Sequence, residues 1–250
     1  MVKIIAVLFV ILSSILLAEN KCEEVSYMQK QFLQRVGEIP LTDEYQKVVF
    51  LRVNAALNLD PVIKSPQYVL FVDRNPSVQL AVLIFVDPLD DRLTIIGADK
   101  VSTGNYARRG HFVTPLGFLE NLPGNMSYRA LGTKNSRGWR GLGVKGSRVW
   151  DFGWVKTHTT KGHPYLIRLL LHAIDPDSES RLGKVGSKGC IRTSAKLNRF
   201  LDYFGILDAQ YEVDQKARRV LLSKREPVCF SGQFVLVGDS SEILSNTGAF

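Results

Sequence analysis

Two prolines, Pro61 and Pro66, mark the point where the apolar pattern of this 250-residue chain changes period. Before them, Val25, Phe32, Leu33 and Val36 recur at near-helical spacing over residues 23–36, and a second helical stretch opens with Thr42 as cap and runs on to Asn58. After them come short apolar runs at residues 68–72, 78–86, 93–98 and 166–172, which have the length and composition of strands. This pattern predicts an α+β fold that is mainly β. A small helical region spans residues 19–66, a large β-rich domain spans 67–225, and a tail follows over 226–250. In that tail Phe230, Phe234, Leu236 and Val237 either add a strand or cover the N-terminal helices. No internal repeat or extended low-complexity segment is present.

Residues 1–18 read as a signal peptide, with Lys3 as the charged start, an apolar run over residues 4–17 and Ala18 at the cleavage position. Leu16 is large for its place in such a site, so an uncleaved segment acting as a membrane tether stays open as an alternative. Cys22 follows Glu19, Asn20 and Lys21, which lack the small, apolar character of a lipoprotein cleavage site. The formal charge of +8 becomes +7 once Lys3 is removed, and a basic surface favours anionic partners. Export selects the cell envelope over nucleic acid as the source of those partners.

The chain has three cysteines, an odd number for an exported protein. Two arrangements are open: Cys22 pairs with Cys229 and leaves Cys190 as the reactive thiol, or all three stay reduced. The surroundings of Cys190 favour chemistry. Gly189 removes bulk beside the sulfur, Lys184, Lys188 and Arg192 bring positive charge, and the apolar run ending at His172 offers an imidazole on a rigid element. The bland alternative is a small buried thiol and an ordinary polar residue at a strand end.

Fourteen residues separate His172 from the string Ser187, Lys188, Gly189, Cys190, Ile191, Arg192. Val101, Ser102, Thr103 and Gly104, then Thr114, Pro115, Leu116, Gly117 and Phe118, form two further blocks upstream. Together these blocks resemble the L,D-transpeptidase family of peptidoglycan enzymes over roughly residues 67–210. Two positions depart from its pattern: Lys188 stands where a histidine is usual, and Ala173 where a glycine often follows the upstream histidine.

The resemblance implies an L,D-transpeptidase-like β-sandwich with a helix after the nucleophile. It implies a periplasmic or cell-envelope enzyme of cell-wall biogenesis and cell shape, with peptidoglycan stem peptides as partners and no cofactor. Cys190 is the implied nucleophile and His172 the general base. Amides near Gly189 and Cys190 are expected to hold the oxyanion, Ser187 to order the loop, Lys188 to favour the thiolate and join the substrate-binding or oxyanion set, and Arg192 to hold a substrate carboxylate. Transfer to a stem-peptide amine gives a transpeptidase, transfer to water an L,D-carboxypeptidase, and negligible turnover a peptidoglycan-binding scaffold.

Other patterns carry less. Thr193 or Ser194 caps a helix whose Leu197, Phe200, Leu201 and Phe204 face the core and whose N-terminus is expected to point at Cys190. Residues 141–146 match a dinucleotide-binding glycine pattern, but no strand precedes them and no helix follows. Asp175, Asp177 and Glu179 alternate like calcium ligands yet lack the glycine and glutamate such a loop needs. His158 and His163 match no zinc spacing. Residues 134–154, rich in Gly, Arg, Lys and Trp, are expected to form a basic flap over a groove.

Overall fold

The computed structural model describes residues 20–104, 108–159 and 161–241. The expected signal peptide, residues 1–18, lies outside the described residues, as does the end of the tail, residues 242–250. The fold is α+β and mainly β. Its centre is a mixed nine-stranded sheet of β1 (Gln67–Asp73), β2 (Leu80–Asp87), β3 (Arg92–Ser102), β4 (Gly117–Glu120), β5 (Tyr128–Arg129), β6 (Arg148–His158), β7 (Pro164–Ala173), β8 (Ile191–Thr193) and β9 (Phe234–Gly238), in the order β4-β9-β1-β2-β3-β8-β7-β6-β5. Neighbours are antiparallel except β1 with β9 and β7 with β8.

Helix α1 occupies residues 20–35 and α2 Asp43–Leu59, with the Thr42 hydroxyl accepting from the Tyr45 amide as its cap. Strand periodicity explains where they lie, because alternate residues face opposite sides. Tyr68, Leu70 and Val72 of β1 join Met28 and Phe32 of α1 in the main core, whereas Val69 and Phe71 join Val49 and Val53 of α2 in a second one. The main core also collects Trp150 and Phe152 from β6 and Leu169 and Leu171 from β7, so one face of the sheet curls around it. The tail contributes β9, which enters the sheet between β4 and β1.

Helix α3 (Ala195–Tyr203) closes this core with Leu197, Phe200, Leu201 and Phe204, all at most 1% exposed. Ser194 is its cap, accepting from the Leu197 amide at 3.0 Å, while Thr193 belongs to β8. The expected aim at Cys190 is not found. The Ala195 amide is taken by Glu179 at 2.9 Å, and α3 packs on the core face, opposite the thiol. A short helix, α4 (Ala209–Val213), follows.

The expected basic flap is corrected in its second half: Arg148–His158 is an 11-residue strand, and only the first half is loop. Its period is broken by a register shift between Asp151 and Trp154, where Gly153 takes a φ of +77°. An L-residue is disfavoured there. Trp150 is buried in the core, whereas Trp139 and Trp154 are exposed.

Candidate active site

Cys190 immediately precedes β8, which pairs Leu171 with Ile191 and His172 with Arg192 in parallel register with β7. Leu169, Leu171 and Ile191 point into the core. Alternation therefore places Arg168, Leu170 and His172 of β7, and Cys190 and Arg192 around β8, on the opposite face. Asp151 of β6, paired with Leu170, shares that face, and its carboxylate accepts from Arg168 Nε at 2.7 Å. The β-ladder thus makes His172 and Cys190 diagonal neighbours on one surface.

The loop that delivers the thiol is tied down by the two upstream sequence blocks. The Thr103 carbonyl accepts from the Gly186 and Ser187 amides at 3.0 and 2.9 Å, and Gly104 bridges to Ser187. Thr114 Oγ1 donates to the Gly189 carbonyl at 2.8 Å and accepts from the Gly104 amide at 2.9 Å. Ser187, fully buried, donates to the Cys190 carbonyl at 2.5 Å and accepts from the Gly189 amide at 2.9 Å. Ser187 therefore orders the loop. The same bond occupies the Gly189 amide, which is removed from the expected set of oxyanion donors.

Gly189 is required by geometry. Its φ is +128°, and a Cβ placed there would meet Ile167 Cδ1 at 2.6 Å. Ala173, the second departure from the family pattern, packs its methyl against Gly143, where an added Cβ would approach it to 2.8 Å.

His172 is 3% exposed, and its Nδ1 lies 2.8 Å from the Ala173 carbonyl. A carbonyl only accepts, so Nδ1 carries the proton and Nε2 keeps the ring's lone pair. Burial lowers the His172 pKa to about 4, against the Ala173 bond, and Arg192 adds to the lowering. At neutral pH the imidazole is uncharged. Cys190 is half-buried, and burial pushes its thiol up; the Leu170 amide and Arg192 pull the other way, with smaller effect. The expected lowering by a crowd of lysines is not found: Lys184 and Lys188 are exposed, Arg192 is the one cation that acts on the sulfur, and Asp151 raises the thiol further. Both groups therefore rest uncharged rather than as an ion pair, and the Cys190 thiol is turned towards the Arg168 carbonyl at 3.9 Å.

Two residues of this neighbourhood have no signal in the sequence reading. His111, 8% exposed, holds the Ser187 carbonyl through Nδ1 at 2.7 Å. Burial lowers its pKa, and Arg108, Lys188 and Arg192 add to that. Gln79 is fully buried at a φ of +51°; its Oε1 accepts from the Thr103 amide at 2.7 Å and its Nε2 donates to Thr103 Oγ1 at 2.8 Å. The one clue to His111 was its place three residues before Thr114.

Arg192 is half-buried, with Nη1 3.3 Å from the Gly186 carbonyl, and it lines a cavity of about 400 Å³ together with Lys188 and His111. Asp175 and Asp177, read as a weak calcium pattern, serve structure: Asp175 accepts from the Arg140 amide at 2.6 Å and caps the turn containing Asp177. Among the described residues no group of three acidic, His or Cys side chains is placed to hold a metal. His158 pairs with Pro164 at the turn end of the β6–β7 hairpin, eight residues along β7 from His172, or roughly 26 Å.

Cys22 and Cys229 are both exposed free thiols, the second of the two arrangements open from the sequence. Cys22 lines a groove with Phe85 and Asp87, whereas the Cys229 amide donates to Glu24 at 2.7 Å. Residues two apart on a helix face different sides, so α1 holds Cys22 away from Cys229. No helix among the described residues is long and apolar enough to cross a membrane.

No family model matches the chain, and no curated protein matches it. Among solved structures it is similar to Bd1075 of Bdellovibrio bacteriovorus, at 13% identity and a TM-score of 0.32, covering 69% of this chain and 47% of that one. It is also similar to a fused Zn-dependent amidase/peptidase/peptidoglycan-binding domain-containing protein from Clostridium acetobutylicum, at 12% identity and a TM-score of 0.30, covering 80% of this chain and 65% of that one. The chain thus spans about half the length of the first and just under two thirds of the second. Likeness at this level carries no functional argument.

Proposed function

We propose that this chain is a cysteine-dependent acyltransferase of the L,D-transpeptidase type, exported to the cell envelope and acting on peptidoglycan stem peptides. The observation that carries the reading is the placement of His172 and Cys190 on one face of adjacent parallel strands, with His172 Nδ1 committed to the Ala173 carbonyl. That commitment leaves Nε2 as the base. The curled sheet then corresponds to that family's β-sandwich.

Nε2 takes the Cys190 proton as the sulfur attacks the stem-peptide carbonyl carbon. A neutral resting pair means that the proton moves with the attack and not before it. The C–N bond to the terminal D-alanine breaks, His172 returns the proton to the departing amine, and the acyl group stays on sulfur as a thioester. An amine of a second stem attacks that thioester, and its proton passes by way of His172 to the released sulfur. With the Gly189 amide occupied by Ser187, the oxyanion falls to the Cys190 amide. Arg192, two residues along the same face, holds a carboxylate of the stem.

The test is mass spectrometry of products from purified tetrapeptide muropeptides, run beside Cys190→Ala. Cross-linked dimer with loss of D-alanine is the expected result. Tripeptide monomer alone would assign water as acceptor and make the chain an L,D-carboxypeptidase. No product from protein whose Cys190 can be alkylated would overturn the enzyme reading in favour of a peptidoglycan-binding scaffold.

A further inference from the structure

The cavity lined by Arg192 is more cationic than a single carboxylate requires. Arg108, Arg137, Arg181, Lys188 and Arg192 all line it, and among the described residues none of them forms an ion pair. Its one carboxylate, Asp175, is already engaged by Arg140 at 3.2 Å. Trp139 supplies a flat wall, held by the Arg181 guanidinium 4.2 Å over its ring. Like charges gathered around one concavity repel each other, and a multiply charged anion seated among them relieves that repulsion.

We propose that this cavity is a recognition site for a small dicarboxylate group, with one carboxylate held at Arg192 and the second towards Arg108 and Arg181. Guanidinium forks match planar carboxylates through paired hydrogen bonds, which favours arginine over lysine at such a site. Cys190 does not line the cavity, but Arg192, which does, lies two residues away on the same face. The inference rests on the proposed function for Arg192, which already holds one carboxylate there, and extends it to a second carboxylate and to Arg108 and Arg181.

The test is calorimetric titration of the full chain with glutarate, butyrate and inorganic phosphate. Glutarate binds, and butyrate, with one carboxylate, binds at least about tenfold more weakly. The double variant Arg108→Gln/Arg181→Gln, changed at two exposed positions, loses glutarate affinity by about tenfold or more, while Arg199→Gln on α3 leaves it unchanged. Glutarate binding no tighter than butyrate, or surviving in the double variant, overturns the site. Phosphate binding as tightly as glutarate overturns the dicarboxylate assignment.

Placement beside the thiol has its own readout, the ratio of alkylation by anionic iodoacetate to that by neutral iodoacetamide, resolved by peptide mass at each cysteine. Cys190 shows a ratio several-fold above that of exposed Cys22, falling in the double variant and at high salt. A Cys190 ratio equal to that of Cys22 removes the link between cavity and sulfur. These readouts need no turnover, so loss of muropeptide activity alone leaves them intact.

Discussion

The two halves of the sheet are built from similar strands and used differently. In β1, β2 and β9 both faces are sealed: Val69, Phe71, Val82, Ile84 and Leu236 pack towards α2, and Leu70, Val72, Leu83 and Val235 towards α1 and α3. In β6, β7 and β8 one face is apolar, with Trp150, Leu169, Leu171 and Ile191, and the other is polar, carrying Arg168, Cys190 and Arg192 beside the buried Asp151 and His172. The first half is insulated on both sides and supplies stability. The second gives up apolar burial on one side, and its buried polar groups must find partners there instead. The parallel pairing of β7 with β8 puts the chemistry on the half that can meet a ligand.

Truncation in the two-sided half is the severest test of that contrast. Phe71→Ala, at a fully buried position, is expected to cost about 3–5 kcal/mol in denaturant unfolding. The pH profile of Cys190 alkylation in the folded fraction should not change, and a shifted profile would break the separation of roles.

Next in size is the pH dependence carried by His172. Its folded pKa of about 4 lies below the ordinary value of 6.5, so the unfolded chain binds the proton first as pH falls. The stability linked to this group is complete above about pH 6.5, declines between 6.5 and 4, and levels off below 4, a loss of about 3 kcal/mol at full extent. His172→Gln should flatten the unfolding free energy over that window. An unchanged slope would mean that the imidazole is not buried in neutral form.

Ser187→Ala removes two hydrogen bonds and leaves the Gly189 amide without its partner, at a cost of about 1–3 kcal/mol. Its distinguishing readout is Cys190, whose alkylation rate should change by more than that of Cys22. At the small end, Trp154→Ser on the open half, at a residue 68% exposed, should alter stability by no more than about 0.5 kcal/mol. A larger loss would mean that this side of β6 is covered by a partner.

Much of the two-sided half is visible along the chain, because burial on both faces demands continuous apolar runs such as Tyr68 to Val72. The one-sided half is harder to read. β6 mixes Asp151, Gly153 and Lys156 with aromatics and shifts register in the middle, which hides its period and lets half of it pass for a loop. Lys188 and Arg192 were seen as charges on the thiol, whereas Lys188 lines the cavity beyond it and burial outweighs Arg192 at the sulfur.

Read along the chain alone, the helices capped by Thr42 and by Thr193 or Ser194 and the apolar strands are already legible. Those features depend on neighbours a few residues away, through caps, periodicity and backbone conformation. Folding in three dimensions brings His111 to Ser187 across 76 residues, Gln79 to Thr103 across 24, and five cations, none in an ion pair among the described residues, around one cavity. These contacts follow from the strand order β3-β8-β7, and the pairing of distant strands is set by the whole core rather than by any local pattern.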